Sequence, residues 1–268
     1  MSKIIEIPIL PFGMVHCHAL IGEKGVVLVD TGLPGSSMKI ARALHKHGRR
    51  LSDVRLIVIT HAHVDHAGSA AELRALTGAP IMAHGADLDY YERRKPMTFC
   101  ETGWFGRFFY RLGLINEPYA PFTPDILLTD SVPVDLAPYG VDGVARHTPG
   151  HTAGSVSIQL ASGDAMVGDL LASGVLLGGV MRTGRAIRPP FEDDPAAVSE
   201  ELIRLINAGM RTFHMGHGGP LPVDEVRLHA IRLQSMRAGR KFGKQLNDCG
   251  CTRGQGLNIQ QSSGTLPP

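Results

Sequence analysis

The densest chemistry in this 268-residue chain lies in Thr60-His61-Ala62-His63-Val64-Asp65-His66, where three imidazoles and a carboxylate fall within six residues. Imidazole and carboxylate both ligate divalent cations. On a loop leaving a strand, side chains at i and i+2 face the same way, so His61 and His63 can share one ion. Asp65 and His66 lie further along the turn and face a second position beside it. A single catalytic zinc needs three protein ligands and one open position. Four candidates so close together exceed that demand and point to two ions; a merely solvated His-rich loop is the weaker explanation.

Further ligands must come from elsewhere, and three are placed where a strand meets a loop. His151 stands in the rigid turn Thr148-Pro149-Gly150-His151-Thr152-Ala153-Gly154. Asp169 follows the apolar run 165–167 through Gly168, and His217 sits in Gly216-His217-Gly218-Gly219-Pro220. Strand ends are the usual home of functional groups held by a rigid frame. Taken singly, each is also an ordinary turn residue. Of the other histidines, His45 and His47 suit a helix C-terminus, where positive charge complements the dipole. His229 is expected on a helix surface. His16, His18, His84 and His147, near strand ends, are candidates to support the ligands.

The elements needed to position these groups are legible in the pattern. Short apolar, β-branched runs at 4–10, 14–21 and 26–29 read as strands, the third ending in Asp30-Thr31-Gly32. Residues 36–46 have helical spacing, 56–59 form an apolar strand that delivers the chain to His61, and a helix over 70–76 precedes a strand at 81–83. The strand pattern returns at 126–128, 144–147, 155–160 and 165–167. A helix over 195–208, a strand at 212–214 and a helix over 223–237, with Val226, Ala230 and Leu233 on one side, complete it. Segment 96–122 differs: it holds eight of the fifteen aromatics, among them Trp104, Phe105, Phe108 and Tyr110. It reads either as a helical hairpin buried on the core or as a lid or wall of an apolar pocket, which those four side chains would line. Residues 1–242 are expected to form one domain and 243–268, rich in Gly, Gln, Asn and Ser, a poorly ordered tail. Two strand-rich halves with helices outside imply an α/β fold of two sheets packed face to face between helical layers.

Composition bounds the function. Hydrophobic residues at 43% and charged residues at 19% exclude a disordered chain or a fibre. A net charge of +2 gives no field for nucleic acid or an anionic membrane. Arg227, Arg232, Arg237, Arg240, Lys241 and Lys244 read as a solvated helix face. No run approaches the roughly 20 apolar residues that span a bilayer, and Glu6 and Pro8 interrupt the N-terminal apolar run, so no export signal is read. Cys17, Cys100, Cys249 and Cys251 offer no disulfide framework, which fits a reducing, cytoplasmic setting.

With these motifs in this order, the chain resembles the metallo-β-lactamase superfamily, the αββα-sandwich metal hydrolases. The match runs from residue 26 to about 220 and rests on 30–32, 60–68, 148–155, Gly168-Asp169 and 216–220. The resemblance implies that His61, His63 and His151 hold one metal. Asp65, His66 and His217 would hold the other, with Asp169 bridging and Asp30 orienting the ligand loop from behind. The bridging Asp points to the glyoxalase II and lactonase-like branch.

Two divalent ions, zinc by ligand type with manganese or iron also compatible, can share a water and lower its pKa toward about 7. The hydroxide attacks a carbonyl carbon while one metal polarises its oxygen, and Asp65 orients the nucleophile. The expected activity is hydrolysis of a small acyl substrate, an ester, thioester or lactone; the partner is that small molecule, and a homodimer is compatible with it. The competing readings are β-lactam hydrolysis, a persulfide dioxygenase using one iron, and a nuclease. The missing export signal and Asp169 argue against the first, and the low net charge against the last.

Overall fold

Alternation along the strands dictates the layering of this protein, seen in a computed structural model that describes residues 2–111, 117–130, 132–175, 177 and 181–239. The first sheet contains β1 (Lys3–Leu10), β2 (Val15–Ile21), β3 (Val26–Val29), β4 (Val54–Val58), β5 (Ile81–His84) and β6 (Ile126–Leu128), in that spatial order. β1 to β3 pair antiparallel and β3 to β6 parallel. The parallel crossovers carry helices α1 (Ser37–Lys46), between β3 and β4, and α3 (Ala70–Thr77), between β4 and β5; the short α2 (Val64–Ala67) lies between these two helices.

The second sheet uses β7 (Val134–Asp135), β8 (Gly143–His147), β9 (Val156–Leu160), β10 (Asp164–Met166), β13 (Thr212–His214) and β14 (Leu221–Pro222). Its spatial order is β14-β13-β10-β9-β8-β7, with β10 and β13 parallel across the helix α6 (Pro195–Asn207). A ribbon of β11 (Ala172–Ser173) and β12 (Ala186–Ile187) stands apart. The remaining helices are α4 (Leu88–Tyr91), α5 (Gly103–Arg111) and α7 (Val223–Gly239).

Because successive side chains on a strand point to opposite faces, each apolar strand serves two cores. Val26 and Leu28 pack outward with Ile40 and Leu44 of α1 and Leu73 of α3. Val27 and Val29 pack inward with Ile158, Leu160 and Met166 of the facing sheet. On the far side, Ala165 and Val167 meet Val198 and Leu202 of α6 and Val226, Ala230 and Leu233 of α7. Three apolar layers between four structural ones are the expected helix–sheet–sheet–helix sandwich.

Several local features depart from the sequence reading. The strand expected at 56–59 starts earlier, at Val54, and the helix α2 inside the ligand loop was not expected. The two-residue strands β7, β14, β11 and β12 are too short for a periodicity to be visible. Segment 96–122 is not a helical hairpin among its described residues; α5 is its one regular element there. His229, expected on a surface, is buried on α7, where the stretch entering β12 is tied to the helix by Arg185 and Ala186, both donating to Glu225. Burial pushes its imidazole down to about 4. The expected tail at 243–268, with Cys249 and Cys251, lies outside the described residues. No described helix is long and apolar enough to cross a membrane.

Candidate metal centre

The ends of β3, β4, β8, β10 and β13 converge at one edge of the sandwich, and the loops leaving them carry the candidate ligands and Asp30. His61 Nε2, His63 Nδ1 and His151 Nε2 lie 3.0, 3.1 and 3.2 Å from one another. Two ligands at about 2.0–2.1 Å from a tetrahedral ion sit roughly 3.3 Å apart, so this triangle has the dimensions of a metal site. Beside it, Asp65 Oδ2, His66 Nε2 and His217 Nε2 form a second group. His217 lies 3.3 Å and His66 3.9 Å from Asp65 Oδ2. Asp169 faces both groups: Oδ1 is 3.3 Å from His66, while Oδ2 is 3.0 Å from His217 and 3.9 Å from His151. All seven predicted ligand side chains are therefore brought to one place.

The surrounding hydrogen bonds decide which ring nitrogens are bare. Asp30 Oδ1 accepts the Thr60 N–H at 2.8 Å, and Oδ2 accepts the Thr60 hydroxyl at 2.9 Å. The same Oδ2 stands 2.8 Å from His66 Nδ1, which must donate, leaving Nε2 as the lone pair. Since the Thr60 hydroxyl proton goes to Asp30, its oxygen accepts from His61 Nδ1 at 3.0 Å, and His61 Nε2 is bare too. His217 Nδ1 donates to the Met14 carbonyl, aiming Nε2 at Asp65 and Asp169. His66 Nε2 and Asp169 Oδ1, 3.3 Å apart, are buried and make no well-formed hydrogen bond among the described residues. Ring nitrogens and carboxylate oxygens buried around one point are costly unless protons or a cation sit among them, and this donor set fits divalent ions.

Electrostatics divide the two groups. Burial, reinforced by neighbouring imidazoles, pushes His61 far below its ordinary value, His63 to about 3 and His151 to about 4. Burial also disfavours charge on His66 and His217, but nearby carboxylates outweigh it. Asp169, Asp30 and Asp65 hold His66 well up, and Asp169 and Asp65 raise His217 to about 10. Conversely, burial pushes Asp65 and Asp169 up, and the His66 and His217 rings bring both below the carboxylate range. Close approach is essential here: a Cβ on Gly216 would lie 2.3 Å from His66 Cε1 and 2.7 Å from Asp169 Oδ1.

Residues that sequence reasoning missed hold the loops in register. Asp87, fully buried after β5, accepts from Ala62 N at 3.1 Å, Thr152 Oγ1 at 2.9 Å and Gly154 N at 2.9 Å. One carboxylate thus ties the His61–His63 loop to the His151 loop. Its position just past a strand end was the available signal. Phe99 tilts over the His63 ring at 5.1 Å between centroids, and Phe191 meets it edge-on at 6.3 Å. Of the four aromatics expected to line a pocket, Trp104 is 73% and Phe108 54% exposed. Tyr110 reaches the cluster through Phe99, at 6.1 Å, and the Phe105 side chain lies outside the described residues.

A third group, His84, Asp130 and His147, also brings ligand atoms together. Its two rings stack face to face, 3.7 Å apart and 4° from parallel. An ion shared by both would lie outside both ring planes, off the nitrogen lone pairs, so this group is not a metal site as it stands. His147 instead supports the His151 loop, with Nε2 donating to the Ala153 carbonyl at 2.8 Å.

A sandwich of two mixed sheets with such a His/Asp cluster at its strand ends defines the class of metal-dependent hydrolases. The chain belongs to the metallo-beta-lactamase superfamily, whose model matches residues 10–218. It is 26% identical over 155 residues to a protein of Methanocaldococcus jannaschii named "Probable metallo-hydrolase", covering 56% of this chain and 66% of that one. It is also 28% identical over 157 residues to the hydroxyacylglutathione hydrolase of Anaeromyxobacter dehalogenans, covering 58% of this chain and 46% of that protein. The matched regions thus span just under two thirds of the first relative and less than half of the second. Among solved structures, an archaeal metallo-beta-lactamase superfamily protein from Sulfolobus tokodaii superposes with a TM-score of 0.62 at 21% identity, covering 93% of this chain and 91% of that one. That likeness is one of fold.

Proposed function

We propose that this metal-dependent hydrolase cleaves a small acyl substrate, an ester, thioester or lactone, at a pair of divalent ions, zinc by the balance of imidazole and carboxylate. The observation that carries the reading is Asp169, whose Oδ1 faces His66 and whose Oδ2 lies between His217 and His151, so that its carboxylate suits a bridge between His61, His63, His151 on one side and Asp65, His66, His217 on the other. When bound, such ions supply an activated water and polarise the carbonyl oxygen.

The chain's own residues do the rest. Asp65 has the most exposed carboxylate of the cluster, 20% accessible, and is the group positioned to orient the attacking water and carry a proton to the leaving group. Phe99 and Phe191 cover His63 and limit access of bulk water to that side. The likeness to a hydroxyacylglutathione hydrolase supports acyl rather than phosphoryl chemistry. The test is turnover by metal-loaded and chelator-treated protein of S-acyl thiols, acyl-homoserine lactones and aryl esters. Chelator-sensitive hydrolysis of at least one class is expected, and none from any class overturns the proposal.

A further inference from the structure

A cavity of about 240 Å³ lies against the ligand loop, bounded by Ala62, Tyr90, Arg93, Met97, Phe99 and Tyr119. Whole-ligand pockets usually measure about 300–1,000 Å³, so this one suits a single arm of a substrate. Phe99 belongs to both spaces: its ring covers His63 at 5.1 Å and also lines the cavity. The Phe99 ring and the ligand loop at Ala62 and Val64 therefore stand between the cavity and the candidate metal ligands. Ala62, Val64, Met97 and Phe99 supply apolar wall, and so does the Tyr119 ring, whose hydroxyl is spent on the Ala62 carbonyl at 2.9 Å.

The charge at the rim is selective. Three cations follow one another at 93–95, and two are committed: Arg94 pairs with Glu92 and Lys95 with Asp89, each at 2.5 Å. Arg93 makes no ion pair among the described residues, and it sits in the left-handed region at φ 56°, a backbone conformation that is costly for an arginine. Arg93 and Lys95 both line the cavity, but Lys95 is held by Asp89, which leaves Arg93 as the lining cation without an ion pair among the described residues. A free guanidinium has the planar fork that grips a carboxylate through two parallel hydrogen bonds. Glu117, also on the cavity wall, disfavours a dianion such as a phosphate monoester.

We propose that this cavity receives the arm of an acyl substrate that is apolar along its stem and ends in a carboxylate held by Arg93. The inference rests on the acyl-hydrolase reading and narrows its substrate class. Two measurements keep the failures apart. Calorimetric titration of the metal-loaded protein compares α,ω-dicarboxylates of four to eight carbons with the monocarboxylates of equal length. Each pair offers the metals one carboxylate, so the difference reads the second. At one or more lengths the dicarboxylate is expected to bind about tenfold tighter. That preference should vanish in Arg93→Ala, return in part in Arg93→Lys, persist in Arg94→Ala and grow in Glu117→Gln. Equal binding at every length, or a preference that survives Arg93→Ala, overturns the cavity assignment whatever the enzyme hydrolyses. In parallel, kcat/KM for matching aryl esters is read: the same preference supports both readings, and absence of turnover with the binding preference intact rejects hydrolysis of esters alone.

Discussion

Asp30 Oδ2 lies 2.8 Å from His66 Nδ1, and the Asp30 backbone itself is left-handed, at φ 64°. The strained turn at the end of β3 aims one carboxylate at both Thr60 and His66, while Thr31 next to it donates its N–H and hydroxyl to the His66 carbonyl at 2.8 and 2.7 Å. Ring and backbone of His66 are thus fixed from one dipeptide. Asn tolerates left-handed backbone, but its amide cannot accept all three donors. Asp30→Asn is expected to remain folded by circular dichroism and to weaken metal affinity by about 10–100-fold. Asp30→Ala should lose about 1 kcal/mol more stability, as its backbone has no such tolerance.

Removing ligands from the two groups should have separable effects. His61→Ala and His66→Ala are each expected to leave a folded protein with one metal equivalent fewer and activity reduced by about two orders of magnitude or more. Metal analysis of the purified variants, beside turnover, checks this. Full metal content and full rate in His61→Ala would be incompatible with the ligand assignment.

Asp87 offers a test of loop registration. Asp87→Ala strands buried donors at Ala62, Thr152 and Gly154, at a cost of about 1–3 kcal/mol or more. It should weaken the His61, His63, His151 group more than the other, because both loops it joins carry those ligands. Asp87→Asn keeps one carbonyl acceptor and should recover part of the loss. Cobalt absorption titrations with thermal melts distinguish this selective effect from uniform destabilisation.

The two groups should load with different proton counts. His66 is held well above its ordinary value and His217 at about 10, so both carry protons at neutral pH, which a cation must displace. His63 at about 3 and His151 at about 4, with His61 also lowered, are already neutral there. Affinity at the Asp65, His66, His217 group is therefore expected to fall as pH drops from about 8 to 6, with protons released on binding, while the other group changes little. Calorimetry in buffers of different ionisation enthalpy measures both. Equal proton release in the two steps would contradict the assignment.

Much of this architecture is legible in the chain because its strands are apolar on both faces. Val26–Val29 serves the outer and inner cores at once, and such runs bounded by glycine and proline are hard to mistake. The candidate ligands that the structure brings together could be picked out because strand ends fix where side chains go. Asp87 was not, since its partners lie 25, 65 and 67 residues away in the chain and no local pattern marks them. Composition reports that aromatics are present and not which of them meets the cluster: the rings found against His63 are Phe99 and Phe191, while Trp104 and Phe108 are exposed. His229 differs from expectation for a long-range reason: α7 is covered by the stretch entering β12, where Arg185 and Ala186 donate to Glu225 of the helix.

Anomalous diffraction from zinc-equilibrated crystals, recorded on both sides of the zinc edge, addresses the central claim without reference to any substrate. Two peaks are predicted, one within coordination distance of His61, His63 and His151, the other of Asp65, His66 and His217, with an Asp169 oxygen toward each. A cleft without peaks, or a lone peak held by other side chains, would contradict it.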